Sequence, residues 1–306
     1  MGAVMEKCNR VHPAPIDAWP SGQVEKKEIL PRRKDGPASS SARGYLLTLL
    51  GEFVLGQDSP TWTATFLQGL GALGIDERAA RQAIARSAAN DLLQPERVGR
   101  KTRWHLTKRA RVLLKEGTER IYSFHRHLRE WDGRWIILFV TVPEAQRDAR
   151  YRLRVRLGWA GFAPLGNGVW ICPWVERQAE AEQVLEELAL TGAARSFIGE
   201  IGHLGDPAAV VAEAWDLPAI EAAYQAFIHS HHPCSHAHLS DEEGFVKLTK
   251  LVHSWRHLPL SDPDLPHVLL PKGWSSTRAT ALFHELHSLW SPAATRWWEE
   301  HRYNHV

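Results

Sequence analysis

The sequence predicts an α+β protein, and three observations predict it. The first third holds three stretches of helical periodicity followed by a basic hairpin pattern. The middle runs strand, helix, strand, strand, helix, strand. The last third carries helical periods and no strand pattern. In order these read as an N-terminal winged helix-turn-helix over 41–107, a connector helix over 108–132, a ferredoxin-like middle domain over 133–203 and a helical C-terminal domain over 204–306. A loosely ordered tail, 1–40, precedes them. A length of 306 residues also favours several domains over one core.

Each element rests on its own residues. The tail carries Pro13, Pro15, Pro20, Pro31, Pro37 and the tract PASSS, so no packed core is expected there. Ser39 to Ser41 offer N-caps for Ala42–Leu55, where Tyr45, Leu46, Leu49, Leu50 and Phe53 recur at helical spacing. A turn over Gly56–Pro60 leads to a helix from Thr63 with the stripe Phe66, Leu67, Leu70 and Leu73, closed by Gly74. A third helix, Glu77–Leu92, sets Ala80, Ala83, Ile84, Ser87 and Ala88 on one face and Arg78, Arg81, Gln82 and Arg86 on the other. Gln94–Val98 and Arg103–Thr107 read as hairpin arms around the tip Gly99–Thr102. Lys108–Arg129 continues as a polar, basic helix.

In the middle, Trp135–Val142 is a continuous apolar run of buried-strand length, stopped by Pro143. A helix over Ala145–Gly158, strands Phe162–Leu165 and Val169–Cys172, a helix over Glu176–Leu190 and a strand over Arg195–Ile201 follow. Beyond them, Asp206–Ser230 reads as one helix and 229–240 as a loop. Asp241–Leu258 is a further helix, and Pro259, Pro263, Pro266 and Pro271 punctuate an irregular stretch. Thr277–Leu289 and Ala293–Arg302 read as two final helices.

Several function classes are disfavoured. No apolar run approaches the ~20 residues a bilayer span needs. The start, MGAVMEKCNR, lacks an apolar leader core, and Cys8, Cys172 and Cys234 are too scattered for a disulfide framework. A reduced, cytoplasmic protein with no membrane partner is expected. There is no G-x-S-x-G, P-loop or H-E-x-x-H motif, and His284 and His287 are three residues apart rather than four. A nuclease-like enzyme of the ferredoxin-like fold ends its first strand in a metal-binding Asp, but here that strand ends Thr141-Val142-Pro143. The expectation is a protein that is not an enzyme and holds no cofactor.

The net charge of +2, from 37 Lys plus Arg against 35 Asp plus Glu, hides an uneven distribution. Asp76 to Arg111 carries ten bases and four acids, a balance of +6 that leaves −4 for the rest. A basic helix followed by a basic hairpin is an electrostatic footprint for the phosphates of double-stranded DNA. Arg78, Arg81, Gln82 and Arg86 are the candidates for base edges in a major groove. Arg97, Arg100, Lys101 and Arg103 are the candidates for backbone contacts at the wing.

At this point the motifs resemble the phenylacetic acid degradation repressors, the PaaX family of bacterial transcription regulators. The matching segments are SARGYLLTLLGEFVL, GIDERAARQAIARSAANDLL with VGRKTRWHLTKRARVLLKEGTERIY, WDGRWIILFVTVPEAQRDARYRLRVRLGWAGFAPLGNGVWICPW, AWDLPAIEAAYQAFI and LPLSDPDLPHVLLPKGW. The resemblance implies a homodimer that represses an aromatic-compound catabolic operon from operator DNA. It also implies release by a small-molecule aromatic inducer, typically an aryl-coenzyme A thioester such as phenylacetyl-coenzyme A. The chain departs from the family where Asn90-Asp91-Leu92 stands in place of a Gly before the wing, and where Trp104 replaces a Tyr. The long tail and the His-rich loop are further departures.

For such an effector, Arg147, Arg150 and Arg154 share one helix face and suit phosphates. Trp159, Phe162, Trp170, Trp174, Trp215 and Tyr224 can line an acyl pocket or pack a core. Two alternatives stay open: a regulator answering to a free aromatic acid, and a metal-responsive one. For the latter, His229, His231, His232, Cys234, His236 and His238 lie within ten residues and offer imidazole and thiolate ligands, although their spacing matches no closed zinc site.

Overall fold

The computed structural model describes residues 41–124, 130–143, 145–231 and 239–303. The tail, the end of the connector and most of the His-rich loop lie outside them.

Helix formation starts at Ser41, whose Oγ accepts from the Gly44 N–H at 3.1 Å and caps α1 (Ala42–Leu49). The helix continues through a π-helical turn over Leu50–Val54, which places Glu52 on a local widening of the helix. β1 (Thr61–Trp62), α2 (Thr63–Ala72), α3 (Glu77–Ala89), β2 (Leu93–Val98) and β3 (Lys101–Leu106) follow. β2 and β3 pair antiparallel with Val98 opposite Lys101, and β1 adds to the far side of β3 with Thr61 opposite Trp104. A short strand thus stands between the turn expected over Gly56–Pro60 and the helix from Thr63. Thr63 Oγ1 fastens it by donating to the Thr102 carbonyl at 3.0 Å and accepting from Trp104 Nε1 at 2.9 Å. Helix, strand, helix, helix, strand, strand is the connectivity of a winged helix. α4 (Lys108–Ser123), capped by Thr107, leaves directly from β3.

The middle segment is built from β4 (Trp135–Val140), α5 (Arg147–Trp159), β5 (Ala163–Gly166), β6 (Val169–Cys172), α6 (Gln178–Glu187) and β7 (Ala194–Gly199). Its antiparallel sheet has the order β5-β6-β4-β7, which is ferredoxin-like. Ile136, Leu138 and Val140 alternate onto the face packed with Leu153, Leu157, Val184 and Leu185. Phe139 and Phe197, on the other face, meet edge to face at 5.8 Å and remain 44% and 59% exposed. Cys172, opposite Ile136 on the core face, is fully buried, and burial pushes its thiol up to about 11.

The C-terminal helices differ from expectation in two instructive ways. The single helix over Asp206–Ser230 is two, α7 (Pro207–Ala214) and α8 (Leu217–Ser230), with Trp215 extended at φ −121 and ψ 142. Asp216 restarts the chain by accepting from the Ala219 N–H at 3.1 Å, and Pro218 sits in the first turn, where its missing N–H is not needed. Conversely, the two final helices are one, α11 (Ser276–Tyr303), with Pro292 inside it. Packing supplies the reason. α9 (Asp241–Trp255) and α11 approach so closely that a Cβ on Gly244 would lie 2.5 Å from Ala293 Cβ. That tertiary contact outweighs one lost backbone bond. A short α10 (Leu258–Ser261) links α9 to the proline-rich stretch.

The first and last thirds share a core. Trp298 of α11 stacks on Phe53 at 5.0 Å and meets Phe66 at 6.2 Å, while Phe245 of α9 stacks on Trp297 at 4.0 Å. Burying each such ring stabilises by roughly 1.5–3 kcal/mol.

Candidate functional site

The basic surface is built on α3 and the hairpin. Asp76 Oδ1 accepts from the Ala79 N–H at 2.9 Å and starts α3. The helix buries Ala80, Ala83, Ile84 and Ser87, leaving Arg78, Arg81, Gln82 and Arg86 exposed. Arg81 is held by Glu77 one turn earlier, Nη2 to Oε1 2.7 Å, an exposed pair of small energetic weight. After α3, Asp91 turns the chain with φ 54. That is the left-handed region, where glycine costs nothing and Asp is one of the few other residues that enter it readily.

Arg97, Arg100 and Lys101 are exposed around the hairpin tip, where Gly99 has φ 62. Arg103 stands apart from them. It lies directly opposite Glu96 and donates to its carboxylate twice, at 2.8 and 2.5 Å, with its guanidinium 5.9 Å from the Trp62 ring centroid. His105 reaches the same carboxylate at 2.5 Å. Hydrogen bonds from Arg103 and then His105 hold Glu96 down to about 2. Arg103 is therefore a half-buried brace between strands.

A second feature is a cleft of about 360 Å³. Phe162, Trp170 and Trp215 supply its aromatic wall, and Arg120 and Arg154 its positive charge. Of the sequence candidates, the structure gathers Arg154, Trp170, Trp215 and Phe162 at this cleft. Trp174 and Tyr224 are not among its lining residues and instead hold the turn Asp262-Pro263-Asp264. Trp174 Nε1 donates to the Asp264 carbonyl at 2.5 Å, and the Tyr224 hydroxyl to Asp262 Oδ2 at 2.6 Å. Desolvation, with the Asp262 charge beside it, keeps the Tyr224 phenol well above its ordinary range and hence a donor. Arg177 clamps the same turn from α6's side through the Pro263 carbonyl at 3.3 Å and Asp264 Oδ2 at 3.3 Å. Arg147, Arg150 and Trp159 are not among the lining residues, and Arg150 donates to the Val142 carbonyl at 3.1 Å.

Arg120 was not legible as a site residue, because its helix reads as a plain basic connector. It is exposed through the cleft, with Nε donating to the Pro259 carbonyl at 3.0 Å. Desolvation by the walls, then the nearby Arg177 charge, lowers its pKa from the ordinary guanidinium value. Two residues on, the Tyr122 hydroxyl makes a short hydrogen bond to Glu52 and lies 3.1 Å from His287 Nε2, which lies 2.9 Å from Glu52 Oε1. Burial raises the Tyr122 pKa, so it stays a donor. His287, from the His-Glu-Leu-His run, is thus engaged in a helix-to-helix contact.

Of the candidate metal ligands, His232, Cys234, His236 and His238 lie outside the described residues. His231 is occupied at both ring nitrogens, by the Phe227 carbonyl at 2.9 Å and Ser254 Oγ at 3.3 Å. Among the described residues, no His, Cys, Asp and Glu group is arranged for a metal, and no helix is long and apolar enough to cross a membrane.

The fold and sites define an α+β chain that carries an exposed basic helix and hairpin on one part and an aromatic, arginine-bearing cleft on another. Three family models match it in order: PaaX-like protein at residues 41–110, the PaaX protein central Cas2-like domain at 128–211 and the PaaX-like protein C-terminal domain at 215–300. The chain belongs to the PaaX family. It is 26% identical over 263 residues to the transcriptional repressor PaaX of Escherichia coli (strain K12), covering 83% of this chain and 82% of that protein. That relative is a regulator rather than an enzyme. The uncharacterized protein Rv0674 from Mycobacterium tuberculosis shares the fold, with a TM-score of 0.57, 22% identity, and coverage of 84% of this chain and 99% of that one.

Proposed function

We propose that the chain is a DNA-binding transcriptional repressor of an aromatic-compound catabolic operon, released from its operator by an aromatic effector. Family membership and the name of the Escherichia coli relative support the repressor role. The observation that carries the DNA-binding reading is the exposed set on α3 and the hairpin: Arg78, Gln82, Arg86, Arg97, Arg100 and Lys101. α3 reads base edges, and the wing tip adds sequence-independent affinity. The cleft is the effector site, and an aryl-coenzyme A thioester such as phenylacetyl-coenzyme A is the class the family resemblance supports. The exposed Phe139 and Phe197 beside the edge strand β7 suit a second copy of the chain, giving a homodimer.

The test is a titration of wild type, Arg86→Ala and Arg100→Ala against operator and scrambled DNA. Arg86→Ala is expected to erode the preference for operator by roughly 1–3 kcal/mol if Arg86 makes a bidentate base contact. Arg100→Ala is expected to weaken both DNAs alike. Equal loss on both DNAs for Arg86→Ala removes α3 from the role of reader.

A further inference from the structure

The last turn of α4 places three consecutive residues against three different parts of the molecule. Arg120 opens into the cleft. The Ile121 carbonyl accepts from Trp255 Nε1 of α9 at 3.0 Å. Tyr122 donates to Glu52, on the π-helical turn that ends the first helix of the winged-helix segment. Its other neighbour is His287 of α11.

The chemistry of Arg120 is that of a group awaiting an acceptor. One of its N–H groups is spent on the Pro259 carbonyl; the charges of Glu180, Asp264 and Asp262 favour its charged form through space, but among the described residues none of them forms an ion pair with it. The two acids of the cleft are committed elsewhere. Asp216 caps α8, and Asp262 accepts from the Tyr224 hydroxyl and, at 2.7 Å, from the Asp264 N–H. Arg177, by contrast, already holds Asp264 and two backbone carbonyls. Phe162, Trp170 and Trp215 line the cleft, the first two largely buried in the core of the middle sheet, and together offer an apolar surface that suits an aryl group. A volume near 360 Å³ suits an aryl acyl moiety, and the nucleotide half of a coenzyme A ester would lie outside the open cleft. The oxygen that reaches Arg120 is then the carboxylate of a free aromatic acid or the carbonyl of its thioester.

Resting on the reading of this cleft as the effector site, we propose that Arg120 binds the acyl oxygen of the ligand and that Tyr122 passes the event to the DNA-reading segment. Both side chains ride on one turn whose backbone hydrogen bonds fix their relative positions. A pull on Arg120 is therefore a pull on Tyr122 and on its contact with Glu52. The ligand shifts the equilibrium because it favours one setting of that contact over the other. Arg120 is the binding residue, and Tyr122 is a positioning residue.

The experiment uses the full chain, an operator fragment selected by wild type from random DNA, and two probes, phenylacetate and phenylacetyl-coenzyme A. Binding is read by tryptophan fluorescence and release by the anisotropy of labelled operator. Arg120→Met is expected to weaken the active probe at least tenfold. Tyr122→Phe is expected to bind the probe as wild type does and to need at least tenfold more of it for release. Wild-type binding by Arg120→Met overturns its role, and wild-type release by Tyr122→Phe overturns the coupling. If Arg120→Met fails to fold, Arg120→Lys decides: weakened binding supports the assignment and unchanged binding sinks it. A wild type that holds operator but answers neither probe overturns the effector reading itself, a result distinct from either variant's failure.

Discussion

The two arginine-bearing surfaces treat their charge in opposite ways. On α3 and the hairpin tip, Arg78, Arg86, Arg97 and Arg100 stand in solvent. In and around the cleft, Arg120 and Arg177 are aimed by carbonyls, and Arg177 also by a carboxylate. The first arrangement suits a polymer of phosphates, where many screened contacts add up and respond steeply to salt. The second suits a small ligand, where a few directed donors beside aromatic walls decide what fits. One residue type thus suits two kinds of recognition, and the surroundings decide which.

The contrast can be broken at either end. The largest expected effect is at the wing. Replacing Arg97, Arg100 and Lys101 together by Ala should reduce the log–log salt slope of DNA binding by about 2.7, at ~0.9 per lost phosphate contact. Operator and scrambled DNA should suffer alike, and an unchanged slope removes the wing from the interface.

Next comes Gly161→Ala, beside the clamp. Gly161 has φ 83, and a Cβ there would lie 1.9 Å from Arg177 Nη1. Left-handed strain of about 1–2 kcal/mol, plus displacement of Arg177 from Asp264, should lower stability in urea unfolding while the DNA salt slope stays put. A smaller loss, roughly 1 kcal/mol, is expected for Tyr224→Phe, which removes a donor from the buried Asp262. Thermal unfolding as stable as wild type would mean that the turn is not held from α8.

The smallest effect sharpens the distinction between Arg103 and its exposed neighbours. Glu96 is lowered from 4.5 to about 2 by Arg103 and His105. For a depressed carboxyl, the stabilisation is fully present above 4.5 and is lost as pH falls through about 2. The brace should thus persist at pH 4 in a carboxylate-resolved NMR titration. A Glu96 that titrates near 4.5 would return Arg103 to the exposed set.

Much of the architecture was legible before any coordinates. Helical periodicity marked α1 to α3, and turn residues marked the hairpin. The unbroken apolar run at Trp135 marked the central strand of the middle sheet. The exposed bases of α3 were legible because a 3.6-residue period separates Arg78 and Arg86 from Ala80 and Ile84. Arg120 was not, since nothing on its own helix announces the cleft. The break at Trp215 was missed because apolar periodicity runs through it, and only the Asp-Leu-Pro start signal marks a new helix. The unbroken α11 was missed for the converse reason: a proline reads as a stop until packing outweighs it.

By itself, then, the sequence determined local structure, the placement of the basic stretch and, through ordered motifs, the family. Those depend on neighbours a few residues apart, whose spacing is written in the chain. Tertiary structure alone decided that the first and last thirds share an aromatic core. It also decided that Arg103 braces a strand pair, and that Arg120, Arg154, Trp170 and Trp215 meet around one cavity. Contacts between residues tens to hundreds of positions apart depend on shape and packing, and no local period encodes them.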